Sequence, residues 1–181
     1  MMPRYVALFR GINVGKAKRI AMADLRSLLG KLGYTDVKTL LNSGNAVFTA
    51  RAGSPEKMAA RIRGAVADDL GVDAMVIVKS DQDVAAMIAG NVFGKIASDS
   101  SRLLVAMCGG EKALAALAPL AGKDWGRERV HVGKHAAYIW CADGILESTA
   151  LGALMKELAG GGTTRNWATL GKIHALMTGG S

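Results

Sequence analysis

Cysteine, proline, histidine and aromatic residues are scarce in this sequence of 181 residues, which contains 2 Cys, 3 Pro, 3 His and only 5% aromatic residues. With so few prolines, the 23 glycines do not indicate a collagen-like or proline-rich chain. No apolar run approaches the ~18 residues that span a membrane, and the short run before Arg10 is not a signal peptide. We therefore expect a cytoplasmic protein without a membrane segment.

The few cysteines and histidines also limit the chemistry of the chain. Cys108 and Cys141 lie in apolar segments, and although a disulfide is the alternative, two cysteines in such a chain are more typical of buried thiols. His131 and His135 flank a predicted turn, but no cysteine or acidic residue supplies a third metal ligand. We expect neither a metal site nor a cofactor.

Basic residues outnumber acidic ones by 23 to 15, which gives a formal net charge of +8. Five of these basic residues lie within residues 1–20, where no acidic residue occurs, and residues 148–181 contain three basic residues against one acidic residue. Half of all residues are hydrophobic, which excludes a disordered chain. Because the excess of basic residues is concentrated in these segments, it indicates a binding site for an anion. Basic residues that only keep a protein soluble would be distributed along the whole chain.

Hydrophobic periodicity in the first half predicts the element order βαββαβ, which is the ferredoxin-like plan. The predicted strands are residues 4–10, 37–41, 46–49 and 74–79, and the predicted helices run from Met22 to Leu32 and from Ser54 to Leu70. Ser54 and Pro55 are typical of a helix N-cap and the first helical position.

The second half repeats part of this order. A capping box predicts a helix over residues 80–89, and a connector follows. The elements predicted after it are strand 102–108, helix 111–120, strands 128–132 and 136–140, and helices near 148–158 and 166–177. The fold class is therefore α+β with two related halves, the first ferredoxin-like and the second βαββ plus C-terminal helices.

We predict three domains or segments, residues 1–80, a helical connector at 81–101, and residues 102–181. Strands 4–10 and 102–108 are apolar on both faces, although a sheet of this kind normally needs helices on one face only. We therefore expect the two sheets to be joined or packed together, with a cleft between the halves.

Two loops of the first half should meet at one end of its sheet. The first and second strands run in the same direction, so the GINVG loop after the first lies beside the NSGN turn after the second. Glycines permit close backbone approach and cations attract anions, so the pair suits a phosphate or carboxylate, although turn chemistry alone is the alternative. The candidate ligand-binding residues are Arg10, Gly11, Asn13, Gly15, Lys16, Arg19, Asn42, Ser43 and Asn45.

The segment GINVGK does not match the phosphate-binding P-loop of nucleoside triphosphatases. It is one residue too short, and Ala17 stands where a serine or threonine holds magnesium.

A third segment, TTRNW, precedes the last predicted helix. Thr164 or Asn166 is expected to cap this helix and Trp167 to anchor it. Arg165 is unusual there, because a cation is unfavourable at the positive end of a helix, and a bound anion or a buried carboxylate would compensate it. The candidate residues of this segment are Thr163, Thr164, Arg165 and Asn166.

The segments RGINVG, LNSGN and TTRNW occur in this order from the start of the chain to near its end. With them, the chain resembles the bacterial family catalogued as domain of unknown function 1697. The resemblance implies a compact α+β cytoplasmic protein and carries no established activity. The triple glycine at 160–162 departs from the pattern, in which a less flexible lead into TTRNW is usual.

Three functions follow as hypotheses. The one we favour is binding of a small anionic ligand, phosphorylated or nucleotide-like, in a basic cleft formed by the GINVG loop, the NSGN turn and TTRNW. The second is nonspecific nucleic-acid binding through Lys16, Lys18 and Arg19, without the aromatic platform of RNA readers. The third is an enzyme acting on an anionic substrate in the same cleft, for which no general base is evident.

Overall fold

The computed structural model describes residues 2–179 and confirms the α+β class with two similar halves. The first half has the predicted order βαββαβ. Its elements are β1 (Arg4–Phe9), α1 (Met22–Lys31), β2 (Thr35–Leu40), β3 (Asn45–Thr49), α2 (Pro55–Leu70) and β4 (Val76–Ser80). The four strands form one antiparallel sheet in the order β2-β3-β1-β4.

Local signals account for the helices of this sheet. Ser54 caps α2 as predicted, because its hydroxyl accepts a hydrogen bond from the Lys57 N–H at 3.2 Å. Gly71 ends α2 in the left-handed conformation, with a φ of 68°. In α1, Leu25, Leu28 and Leu29 are buried on one face, as helical spacing predicted.

Both faces of strand β1, in the interior of the first sheet, are buried. Tyr5, Ala7 and Phe9 of β1 belong to the core that the helices cover. The alternate residues Val6 and Leu8 point to the other face and are inaccessible to solvent as well. The apolar character of both faces of β1 therefore corresponds to burial on both faces.

The second half contains α3 (Asp81–Ala89), β5 (Leu103–Cys108), α4 (Glu111–Ala115), α5 (Ala118–Ala121), β6 (Arg129–Val132), β7 (Ala137–Trp140), α6 (Thr149–Glu157), β8 (Gly162–Asn166) and α7 (Trp167–Met177). Its sheet is antiparallel with the order β6-β7-β5-β8. The sheet order therefore matches that of the first half position by position.

Two features of this half differ from the sequence-based expectation. The helix predicted over 111–120 is two short helices, with Pro119 in the first turn of the second. The segment 162–166 is the edge strand β8, paired with β5, where no strand was predicted. Its glycine and asparagine are disfavoured in strands although its threonines are favoured, and the strand forms because it pairs with the edge of β5.

The chain divides into two compact units. The first unit comprises the residues up to Gln82 and those from Ile173 onward, and the second comprises Asp83–Lys172. The end of α7 thus belongs to the first unit. Arg4 Nη1 holds it there by donating to the carbonyl oxygens of Leu176 and Met177 at 2.9 and 3.1 Å.

Tyr138 joins β7 to α3 inside the second unit. Its hydroxyl donates a hydrogen bond to the carbonyl oxygen of Met87, and burial raises the pKa of Tyr138 from 10.0 to about 12. The raised pKa means that the folded state holds this proton more tightly than the unfolded state does. Tyr138 therefore contributes stability that is complete below pH 10 and lost as the pH rises to about 12.

We predict a corresponding difference between the wild type and Tyr138→Phe. Urea unfolding from pH 9 to 12 should show a steeper loss of stability in the wild type, because only the wild type gains the Tyr138 phenolate on unfolding. Equal pH slopes for the two proteins would show that Tyr138 ionises in the folded state as it does in water.

Candidate functional site

The GINVG loop and the NSGN turn lie together, as the strand directions predicted. The side-chain amide of Asn13 donates to the carbonyl oxygen of Asn42 at 2.7 Å, which links the two loops directly. The Phe9 N–H donates to the carbonyl oxygen of Gly44 at 3.0 Å, next to the β1–β3 pair Leu8 and Asn45. The first sheet therefore brings both segments to one end.

The side chain of Asn13 holds the GINVG loop and the NSGN turn together. Besides Asn42, its Nδ2 donates to the carbonyl oxygen of Ile20 at 2.9 Å, and its Oδ1 accepts from the Ile20 N–H at 2.8 Å. Its φ of 56° turns the chain at this point. Because the amide is already engaged at both ends, Asn13 sets the shape of the loop.

Asn45 and Arg19 have similar roles. Asn45 is fully buried, and its Nδ2 donates to the Leu40 carbonyl at 2.8 Å and to the Ser43 hydroxyl at 3.4 Å. Arg19 Nη1 donates at 3.3 Å to the carbonyl oxygens of both Asn13 and Gly15, which closes the loop on itself. Three of the candidate residues thus hold the loops in place.

Other candidates in the loop remain open to solvent. Gly11, Gly15 and Lys16 are exposed, as are Asn42 and Ser43 of the turn. Gly11 and Gly15 adopt positive φ angles of 70° and 64°. A left-handed residue beside a right-handed one is the backbone conformation in which successive N–H groups form an anion-binding concavity.

Backbone donors in this loop are unsatisfied by the protein. Within residues 2–179, no hydrogen bond is made by the backbone N–H groups of Gly11, Val14, Gly15 and Lys16. All four residues are exposed, so water or a ligand meets these donors.

Lys18 adds positive charge beside the loop. It lowers the pKa of the Asp73 carboxyl, although the main cause of that shift is the hydrogen bond from Arg63. Arg63 holds both carboxylate oxygens of Asp73, at 2.6 and 3.1 Å. The charge of Asp73 is therefore mainly compensated by Arg63, and Lys18 adds a weaker electrostatic attraction without a hydrogen bond.

The TTRNW candidates lie in the second unit. Thr163, Thr164 and Arg165 are on β8, and Asn166 caps α7 as predicted, because its Oδ1 accepts from the Thr169 N–H at 2.8 Å. Arg165 Nη1 donates to the Thr163 hydroxyl at 3.0 Å and to the Thr164 carbonyl at 2.8 Å. Burial lowers the pKa of Arg165 to about 10, so the guanidinium is still charged at neutral pH.

Sequence reasoning missed the buried carboxylate of Glu128. Its oxygens accept hydrogen bonds from the hydroxyls of Ser148 and Thr149 and from the N–H groups of Thr149 and Ala150. All of these donors lie at the N-terminus of α6, whose positive dipole end also favours a carboxylate. The sequence predicted only a helix near 148–158, which does not reveal that a distant acid contacts its first turn.

The aromatic and sulfur-bearing side chains have packing roles. Tyr5, Phe9 and Phe48 are buried in the first core, so none of them is available on the surface for base stacking. Cys108 and Cys141 are buried thiols that form no disulfide with each other, as predicted, and burial is the main cause that raises the pKa of Cys141.

Within residues 2–179, no group of three or more histidine, cysteine or acidic side chains is arranged to hold a metal ion. Over the same residues, no helix has both the length and the apolar character needed to cross a membrane.

Comparison with known proteins extends these observations. A family model described as Protein of unknown function (DUF1697) matches residues 2–138. The solved structure of the conserved bacterial protein SP0830 from Streptococcus pneumoniae is similar to this chain, with a TM-score of 0.80 and 25% sequence identity. The similarity covers 98% of this chain and 99% of that one. None of the curated proteins compared is significantly similar to this chain.

Proposed function

The chain belongs to the family described as Protein of unknown function (DUF1697), and we propose that its GINVG loop and NSGN turn bind a small anionic ligand. The ligand class is a phosphorylated or nucleotide-like molecule. The observation that carries the proposal is that exposed backbone N–H groups, those of Gly11, Val14, Gly15 and Lys16 among them, have no acceptor within residues 2–179, on a loop held by hydrogen bonds of its own side chains.

Rigidity supports binding at this loop. Asn13 and Arg19 fix its shape through hydrogen bonds that involve Ile20, Asn42 and Gly15. A ligand therefore meets donors that are already in place, and little conformational entropy is lost when it binds.

The charge of the loop supports the same ligand class. Lys16 and Lys18 are exposed cations within three residues of one another, and residues 1–20 contain no acidic side chain. Backbone N–H groups and ammonium groups together are the usual partners of phosphate oxygens.

We expect the double variant Lys16→Ala/Lys18→Ala to bind inorganic phosphate or a nucleoside monophosphate about tenfold more weakly than the wild type, which corresponds to about 1.4 kcal/mol. Isothermal titration calorimetry at low salt measures this. The matched control is Lys95→Ala/Lys134→Ala, which removes the same charge from exposed positions of the second unit. Equal weakening in both double variants would mean that the overall charge attracts the anion and would contradict the site.

The salt dependence of binding distinguishes nucleic-acid binding through the same lysines from binding of a small anion. Binding of a polymer, in which the protein neutralises several phosphates at once, weakens steeply as salt rises, whereas binding of a mononucleotide weakens far less. If DNA or RNA binds with a steep salt slope while the mononucleotide does not bind, the loop is a nucleic-acid contact and the small-ligand proposal fails.

The part played by the TTRNW segment remains a prediction. We expect Arg165→Ala to weaken binding of the same nucleoside monophosphate several-fold while it lowers the melting temperature by only a few degrees, because burial already disfavours the charged guanidinium. A large loss of melting temperature with unchanged binding would assign Arg165 to the structure of β8 alone.

A further inference from the structure

We propose that a second, independent groove in the first unit binds an amphiphilic carboxylate, that is, a small molecule with an apolar body and one carboxylate group. The groove has a volume of about 580 Å³, within the range of small-molecule sites. It is formed by the end of α1, the loop between β3 and α2, and the first turns of α2.

The groove is separate from the anion site proposed above. It lies where β3 ends and β1 begins, since Thr49 pairs with Arg4 in the antiparallel ladder. The GINVG loop follows the other end of β1. The two sites therefore occupy opposite ends of the first sheet. Loss of ligand binding at one site does not require loss of binding at the other.

The lining of the groove is largely apolar. Leu32, Tyr34 and Met58 contribute to it, together with Met2, whose side chain is about half exposed. A hydrated inorganic ion would leave this surface in contact with water, so the ligand that fits needs an apolar body.

Three cations line the same groove without an acid among the lining residues. Arg51, Lys57 and Arg61 are all exposed, and none of them forms an ion pair with any residue from 2 to 179. Arg61 lies over the ring of Tyr34, with its Cζ 5.5 Å from the ring centroid. The nearby acid Glu56 does not line the groove, and its Oε2 accepts a hydrogen bond from the Ser54 hydroxyl.

The three cations and the apolar lining together determine which ligand the groove can bind, namely one with a negative charge and an apolar body. The three cations repel an organic cation and attract an anion, and arginine presents two parallel N–H groups to a carboxylate. The apolar floor contributes affinity in proportion to the area of the ligand that it removes from water. Neither property alone distinguishes the groove from an ordinary protein surface.

The proposal is tested with octanoate as the probe, followed by the amide resonances of Gly33, Ala52 and Gly53 in ¹⁵N-labelled protein. We expect saturable shifts with octanoate, and at least tenfold weaker effects with acetate and with octyltrimethylammonium. Equal effects from acetate would show that charge alone acts, and equal effects from the octyl cation would show that the apolar surface alone acts. Either result would overturn the proposal.

A charge-reversal pair gives the second arm of the test. Arg51→Glu/Lys57→Glu should weaken octanoate binding at least tenfold, whereas Lys38→Glu, an exposed change on β2 outside the groove, should have little effect. Phosphate binding at the GINVG loop should change far less than octanoate binding in both proteins. Octanoate binding that survives the double reversal would place the probe elsewhere and refute the groove.

Discussion

Gly44→Ala is expected to lower the free energy of unfolding by about 3 kcal/mol, because the new methyl group meets both strain and a clash. Gly44 has a φ of 94°, which a side chain makes costly. A Cβ atom there would lie 2.8 Å from Phe9 Cβ and 2.7 Å from Ile12 Cδ1. Both contacts belong to the place where the NSGN turn packs against the end of β1, so the turn has to move away.

The matched control is Gly15→Ala. Gly15 also has a positive φ, 64°, but a Cβ atom there meets nothing within 4 Å. The control should therefore cost only about 1 kcal/mol, the backbone strain alone. Urea denaturation of the three proteins measures both values, and a similar loss in the two variants would show that the close approach of Gly44 to β1 has no energetic consequence.

Glu128→Ala is expected to destabilise the protein by a similar amount, about 3 kcal/mol. The change removes a buried carboxylate and leaves the donors of Ser148, Thr149 and Ala150 without their acceptor at the start of α6. It also removes the negative charge that faces the positive end of this helix.

Glu147→Ala is the control for Glu128→Ala. Glu147 is exposed in the loop that precedes α6, so its loss should change stability by less than about 0.5 kcal/mol. Thermal unfolding of the two variants under the same conditions separates them. If Glu128→Ala unfolds at the temperature of the control, water replaces the carboxylate at no cost and the assigned role of Glu128 is wrong.

The sequence predicted those parts of the fold that local chemistry determines. Ser54 and Pro55 start α2 and Gly71 ends it, because capping depends on residues within one turn. The juxtaposition of the GINVG loop and the NSGN turn was also predictable, since it follows from strand direction alone.

Long-range contacts were beyond the sequence reasoning. Strand β8 exists because β5 pairs with it, and Gly162 is needed there because a Cβ atom would lie 2.6 Å from the carbonyl oxygen of Met107. The triple glycine, which sequence analysis treated as a flexible lead, thus permits close packing at its last residue. Glu128 and α6 are likewise partners that no local pattern connects.

Two of the candidate ligand-binding residues make hydrogen bonds within the protein that the sequence did not predict. Asn13 and Asn45 lie in the predicted loops, yet their side-chain amides bind backbone carbonyl oxygens. Local sequence shows that an asparagine is in a turn, but it does not show whether its amide faces the chain or the solvent. Arg4 similarly belongs to the basic N-terminal segment but serves the end of α7.

The most direct test of anion binding at the GINVG loop is a titration of ¹⁵N-labelled wild-type protein with inorganic phosphate and with a nucleoside monophosphate, followed by amide chemical shifts. The account predicts saturable shifts at the N–H groups of Gly11, Val14, Gly15 and Lys16, which have no acceptor within residues 2–179, with much smaller shifts on β6 and β7. Shifts that are linear in ligand concentration, or that spare these four amides, would contradict it.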